Sequence, residues 1–246
     1  MRRLAFLPLL FSALAIGGCG SSAEINYRII VQVDDNGVSR TGSGVWQFKI
    51  TENVPLGGRS YTPRFRGEAI AVDLPGRGTL FVLGQGPSAD MSMVAEKLFR
   101  KEAEAVAGPA AERHQLNGAI SKMVGQQKEV PCARLTGEAG DRLPLSFCPF
   151  LVRFRNPRDP GSVEQVDIAN LSSSFGPGVR MKTLLVQITD ADVTTGIEAR
   201  LPWLAAQMKG KASLDGTPFN GINPSQNEPT GRRLSAGEFS TEISRK

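Results

Sequence analysis

The sequence predicts an α+β fold in which antiparallel β-hairpins, a central pair of helices packed on a sheet face, and a short C-terminal helix form one domain. Three observations support this prediction. Apolar and polar residues alternate in several segments, as in strands with one buried face, while two central windows have helical spacing. The chain of 246 residues also contains 27 glycines and 16 prolines, which favour frequent turns over long helices. We expect the domain to cover residues 25–223.

The first 20 residues have the features of an export leader. Arg2 and Arg3 supply positive charge, and the apolar run 4–16 is too short to cross a bilayer as a helix. The residues that follow resemble the lipobox of bacterial lipoproteins: Ile16, Gly17, Gly18 and Cys19. This resemblance implies a signal peptide over 1–18 and a lipid on Cys19, which becomes the mature N-terminus. Acyl chains on one cysteine give a stable membrane anchor.

The resemblance also implies a location. A short tether over 19–24 would hold the body close to the membrane. Gly20 occupies the position at which this family's inner-membrane retention signal, typically Asp, would stand. We therefore expect a lipid-anchored protein of the outer membrane, with its body in the periplasm. The alternative is an ordinary secretory leader with an incidental cysteine.

Two hairpins are predicted in the first third of the chain. In the first, apolar residues alternate with polar ones over 27–33, and 45–50 returns as the second strand. Asn36 and Gly37 between them readily supply the positive φ angles of a two-residue turn. In the second hairpin, 64–74 and 79–83 are strands joined by a turn of proline and glycine.

Glu68 and Asp73 are carboxylates inside the first strand of the second hairpin, and a general acid and base pair is one interpretation of them. Residues five apart on a strand point to opposite faces, so local geometry does not bring the two together. Nearby arginines also allow both to be ordinary ion-pair partners. We keep them as the candidate catalytic residues.

Two helices are predicted between the β-rich halves of the chain. The first covers 89–106, with Ser88 as its N-cap, and the second covers 110–124. Apolar residues recur on one side of each, so we expect that side to pack on a sheet face. The alternative is that these amphipathic helices bind a partner.

Cys132 and Cys148 are predicted to form a disulfide. They lie in two segments with strand character, 130–135 and 145–154, on either side of Gly140 in a turn-rich stretch. Antiparallel pairing about this glycine would place the two cysteines opposite each other, within reach of a disulfide. Export places them in an oxidising compartment, and Cys19 is consumed by lipid. The alternative is two reduced, buried thiols.

The last third of the chain contains less regular patterns. We predict a short helix over 168–174, a strand over 179–189, and a final helix over 197–208 whose regularity Pro202 limits. Residues 224–246 are predicted to be a polar, mobile tail.

Two blocks, 66–76 and 173–204, resemble a family of uncharacterised proteobacterial proteins, many of which look like lipoproteins. The resemblance extends over most of the mature chain. It implies a single continuous unit and no particular activity.

Charge and residue counts exclude several classes of function. The formal net charge of +5 is a mild excess, which fits either a solvated surface or contact with an anionic envelope polymer or headgroup. No motif indicates nucleic-acid binding. His114 is the only histidine and lies in a polar stretch of the second helix, so we expect it to be exposed. We predict no metal site, no cofactor and no histidine-based catalysis.

We therefore expect a non-enzymatic protein that binds or scaffolds another envelope component. One alternative is an envelope hydrolase that uses Glu68 and Asp73. Another is a carrier with an apolar pocket between the sheet and the helices.

Overall fold

The computed structural model describes residues 21–53, 58, 60–87, 89–134, 147–219 and 224–245. The strands of this part of the chain are β1 Ser22–Asp35, β2 Val38–Asn53, β3 Ser60–Arg66, β4 Ile70–Leu74, β5 Gly78–Leu83, β6 Gln85–Gly86, β7 Ala89–Asp90, β8 Gln127–Glu129, β9 Phe150–Phe154, β10 Val163–Gln165 and β11 Val179–Ile188. The α-helices are α1 Val94–Ala107, α2 Arg113–Ser121, α3 Ser172–Phe175, α4 Leu204–Gly210 and α5 Thr230–Arg233. The predicted α+β class is therefore confirmed.

The larger sheet has five antiparallel strands in the order β3-β2-β1-β11-β8. Strands β1 and β2 form the first predicted hairpin, with positive φ angles at Asn36 (52°) and Gly37 (85°). Buried residues alternate with half-buried ones along β1, so one face of the sheet contacts the core.

The smaller sheet has the order β10-β9-β5-β4, and both of its faces are buried. One face joins a core cluster with the five-stranded sheet and helices α1 and α2. The other face forms a second cluster with α4 and the C-terminal segment. The fold thus has successive layers with the smaller sheet in the middle, and α1 and α2 pack on the inner face of the larger sheet as predicted.

The prediction of one continuous strand over 64–74 is wrong, because the segment contains two strands. Its first part is β3, which pairs with β2 in the larger sheet, and its second part is β4, which pairs with β5 in the smaller sheet. The chain changes sheets at Gly67, where an added Cβ would lie 2.4 Å from the Trp46 ring. The hairpin of β4 and β5 is itself confirmed.

Helix α1 begins at Val94 and not at the predicted residue 89, because Ala89–Asp90 pairs with Gln85–Gly86 as a small antiparallel ladder. The predicted cap, Ser88, lies outside the described residues. The final helix is also interrupted: residues 197–199 form a 3₁₀ turn, and α4 begins after Pro202.

The predicted hairpin around the cysteines is wrong, because residues 131–134 form a 3₁₀ turn and the strands on either side of the cysteines, β8 and β9, belong to different sheets. Strand β8 is an edge of the larger sheet, and β9 lies inside the smaller one. Cys132 lies in the 3₁₀ turn Pro131–Arg134, while Cys148 precedes β9. The predicted centre of the hairpin, Gly140, lies outside the described residues.

The C-terminal segment corrects the prediction of a polar, mobile tail over 224–246. It contains α5 and the 3₁₀ turns Ala236–Glu238 and Ile243–Arg245. Leu234 and Phe239 have no solvent exposure and belong to the second core cluster. These few apolar side chains fix the segment although most of its residues are polar.

Candidate functional site

A polar surface lies on the outer face of the larger sheet, where β1, β2 and β3 run side by side. Because every second residue of a strand points to the same face, the pairing register places outward residues in rows across the three strands. The rows are Ser22-Thr51-Thr62, Glu24-Lys49-Arg64 and Asn26-Gln47-Arg66. Most of these side chains line one groove with a volume of about 430 Å³, which we call the basic groove; its lining residues are Glu24, Gln47, Lys49, Thr51, Asn53, Thr62, Arg64, Arg66 and Arg245.

The arginine at one side of the basic groove, Arg66, is fixed by a buried carboxylate. Its Nε and Nη2 atoms donate to Oε1 and Oε2 of Glu242 at 3.2 and 2.5 Å. Burial raises the pKa of Glu242, but hydrogen bonds from Arg66 and Thr241 outweigh it and hold that pKa below its ordinary value. The hydrogen bond to Glu242 in turn raises the pKa of Arg66. The ion pair thus fixes the guanidinium of Arg66 beside the groove, while Glu242 offsets its charge.

Two further cations face each other in the basic groove. Lys49 lies directly opposite Arg64 in the pairing of β2 with β3. Lys49 approaches Glu24 at 3.6 Å in an exposed ion pair, whereas the exposed Arg64 makes no ion pair with any residue in the described ranges. Like charges directly opposite each other on a sheet are destabilising. The arrangement therefore concentrates positive charge that the described residues neutralise only in part.

The two candidate catalytic carboxylates do not form an acid and base pair. Both oxygens of the buried Glu68 accept hydrogen bonds: one from the N–H of Ile197 and one from the hydroxyl of Ser240, each at 2.9 Å. Asp73 is exposed and accepts two hydrogen bonds from Arg200 at 2.7 and 2.8 Å. The hydrogen bond from Arg200 lowers the pKa of Asp73. Each carboxylate thus fastens a different part of the segment 197–200.

The structure also corrects the prediction of an exposed histidine. Nδ1 of His114 lies 2.9 Å from Oε2 of the buried Glu52 and 3.6 Å from Oε2 of Glu112. The ligand atoms of these three residues lie within 4.8 Å of one another. One imidazole and two carboxylates are a donor set that can hold a divalent cation. This cluster could not be predicted from the sequence, because Glu52 comes from the end of β2, far from α2 along the chain.

The cysteine pair is confirmed: Cys132 and Cys148 form a disulfide with a Cα separation of 5.6 Å. Cys19, the predicted lipidation site, lies outside the described residues. In the part of the chain that the structure describes, no helix has the length and apolar character needed to span a membrane.

Sequence reasoning also missed the basic groove. Lys49 and Arg64 are ordinary outward-facing strand residues in the sequence, and only the register of β2 against β3 brings them together. Comparison with known proteins adds nothing to this description: no family model matches the chain, and neither the curated proteins nor the solved structures contain a match. The fold and the groove define an α+β protein with a basic surface site.

Proposed function

We propose that this protein is a lipid-anchored, non-enzymatic binding or scaffolding module of the cell envelope. The anchor would be Cys19, and the body would lie in the periplasm at the outer membrane. The basic groove would be the surface that contacts another envelope component, of anionic character. The lipobox-like residues before Cys19 support the first part of the proposal, and the charge of the groove supports the second.

One observation connects the anchor with the groove. The carbonyl of Ser21 accepts a hydrogen bond from the N–H of Glu52 at 2.7 Å, and Ser22 pairs with Thr51, which lines the groove. Residue 21 is therefore fixed beside the basic groove. Cys19 is two residues earlier, which is a span of at most about 7 Å of extended chain. A lipid on Cys19 would thus place the groove at the membrane surface.

The two alternatives receive less support. A hydrolase using Glu68 and Asp73 would need both carboxylates to face one cleft, but Glu68 is buried against Ile197 and Ser240, and Asp73 is held at the surface by Arg200. A carrier would need an apolar cavity between the sheet and the helices. Large buried side chains, including Phe48 and Phe99, fill that region.

Fatty-acid labelling of wild type and Cys19→Ala in a bacterial host tests the anchor. We expect labelled acyl chains to enter the wild type only, and the variant to lose firm attachment to membranes. Incorporation of label into Cys19→Ala would contradict the proposal. A hydrolase screen of wild type beside Glu68→Gln and His114→Ala tests the non-enzymatic part, which a robust activity lost in either variant would contradict.

A further inference from the structure

The opposed cations of the basic groove are unusual for a purely structural surface. Lys49 and Arg64 repel each other across β2 and β3. Among the described residues, Glu24 is the one carboxylate in the groove lining, and its ion pair is with Lys49. The guanidinium of Arg66, paired with Glu242, lies one row away on the same face. An anion bound between Lys49 and Arg64 would remove this repulsion.

Hydroxyl groups lie beside the two cations. Thr51 and Thr62 face each other in the adjoining row of the same strands, and both line the groove. Oγ1 of Thr62 accepts a hydrogen bond from Nδ2 of Asn53 at 3.1 Å, which leaves its hydroxyl hydrogen available to donate. The site therefore combines two positive charges with hydroxyl donors from the next row.

We propose that the basic groove binds a phosphate group between Lys49 and Arg64, with Thr51 and Thr62 as additional donors. This inference rests on the proposed binding function and names the class of its ligand. A tetrahedral phosphate presents several acceptor oxygens and carries close to two negative charges at neutral pH, so it can use donors that converge from two strands and two rows. A planar carboxylate, with two oxygens, uses fewer of them.

A phosphate group could reach the groove on a membrane lipid or on a soluble phosphomonoester, and binding measurements can distinguish these sources. The full chain in neutral detergent is titrated calorimetrically with inorganic phosphate and with glycerol 3-phosphate. A second arm uses micelles of the same detergent that contain phosphatidic acid, with oleate-containing micelles as the carboxylate comparison. Binding of the soluble phosphates alone indicates a soluble ligand, whereas binding of phosphatidic acid indicates a headgroup.

The test variant is Lys49→Gln/Arg64→Gln, and the matched control is Lys101→Gln/Arg158→Gln, which removes two exposed positive charges that do not line the groove. We expect phosphate binding to weaken about tenfold or more in the test variant, because charge-assisted hydrogen bonds are lost, and to be unchanged in the control. Arg64→Lys, which keeps the charge but loses the planar fork, should fall between them. Thermal unfolding without phosphate should show Arg64→Gln alone, which keeps the Lys49–Glu24 ion pair, at least as stable as wild type, since only a repulsion is removed.

Three outcomes would overturn the proposal: no phosphate binding by wild type, equal binding by wild type and the folded test variant, or oleate binding as strong as phosphatidic acid binding. A lower unfolding temperature of Arg64→Gln would contradict the repulsion on which the inference depends. Each of these failures is separate from the acylation of Cys19. The labelling experiment can therefore succeed while the phosphate proposal fails.

Discussion

At the scale of single residues, two buried carboxylates determine where the end of the chain lies. Glu68 accepts a hydrogen bond from the hydroxyl of Ser240, and Glu242 accepts one from the guanidinium of Arg66 in β3. The backbone adds to these contacts, because the N–H of Thr241 donates to the carbonyl of Gly67. Burial of a carboxylate is costly unless it is paired and hydrogen-bonded, and here the required partners come from distant parts of the sequence. Neither contact could be predicted from spacing, since both join residues more than 170 positions apart.

Glu242 gives the fold a testable dependence on pH. Its pKa is lower in the folded protein than its ordinary value of 4.5, so the carboxylate stabilises the fold above that pH. This contribution is lost as the pH falls through the lower, folded pKa. We expect Glu242→Gln to reduce the free energy of unfolding by about 1.5–3 kcal/mol at pH 7, and by less in acid, as measured by urea unfolding. Glu228→Gln, an exposed change on the same segment, is the control; a difference that persists undiminished below pH 3 would contradict the assignment.

At the scale of elements, local patterns predicted which neighbouring strands form hairpins, but not which of the two sheets each strand joins. Alternation along β1 and the Asn36-Gly37 turn were sufficient for the first hairpin, because both signals act between residues that are close in sequence. The pattern over 64–74 continues through Gly67, where the chain passes from one sheet to the other. That change depends on the ring of Trp46, which no local pattern in this segment reveals.

Because Gly67 lies so close to the ring of Trp46, adding one methyl group at this position should lower the stability of the fold. An added Cβ would lie 2.4 Å from Cδ1 of Trp46, whose ring is buried and donates through Nε1 to the carbonyl of Glu68 at 2.8 Å. The ring therefore has little room to move. We expect Gly67→Ala to reduce the free energy of unfolding by about 1–3 kcal/mol, measured by urea unfolding.

Gly118→Ala is the matched control for this change. Gly118 lies inside α2, and no atom of the part of the chain that the structure describes is within 4 Å of an added Cβ. The substitution should therefore stabilise the protein by about 0.5–1 kcal/mol through helix propensity. Equal effects of the two substitutions would show that the approach of Gly67 to Trp46 does not constrain the fold.

At the scale of the whole molecule, periodicity and composition predicted the class of fold but not its layers. The smaller sheet is covered on both faces, so β5 and β9 contain consecutive buried residues and lack the alternation of β1. The C-terminal segment was predicted to be mobile because its composition is polar. Its apolar residues Leu234 and Phe239 nevertheless complete the second core cluster. The basic groove could not be predicted either, because its residues come together only when β1, β2 and β3 pair in register.

The disulfide is the covalent connection between these layers, and the last prediction concerns its contribution. Cys132 follows β8 of the larger sheet, and Cys148 precedes β9 of the smaller one. Closing a loop with a sequence separation of 16 residues contributes about 3 kcal/mol in the chain-entropy model. We expect the free energy of unfolding to fall by about this amount in Cys132→Ala/Cys148→Ala. Chemical reduction of wild type should lower it by a similar amount. Alkylation of oxidised wild type under denaturing, non-reducing conditions should label neither cysteine. Full labelling of both, or a double variant as stable as oxidised wild type, would show that the bridge does not hold the two sheets together.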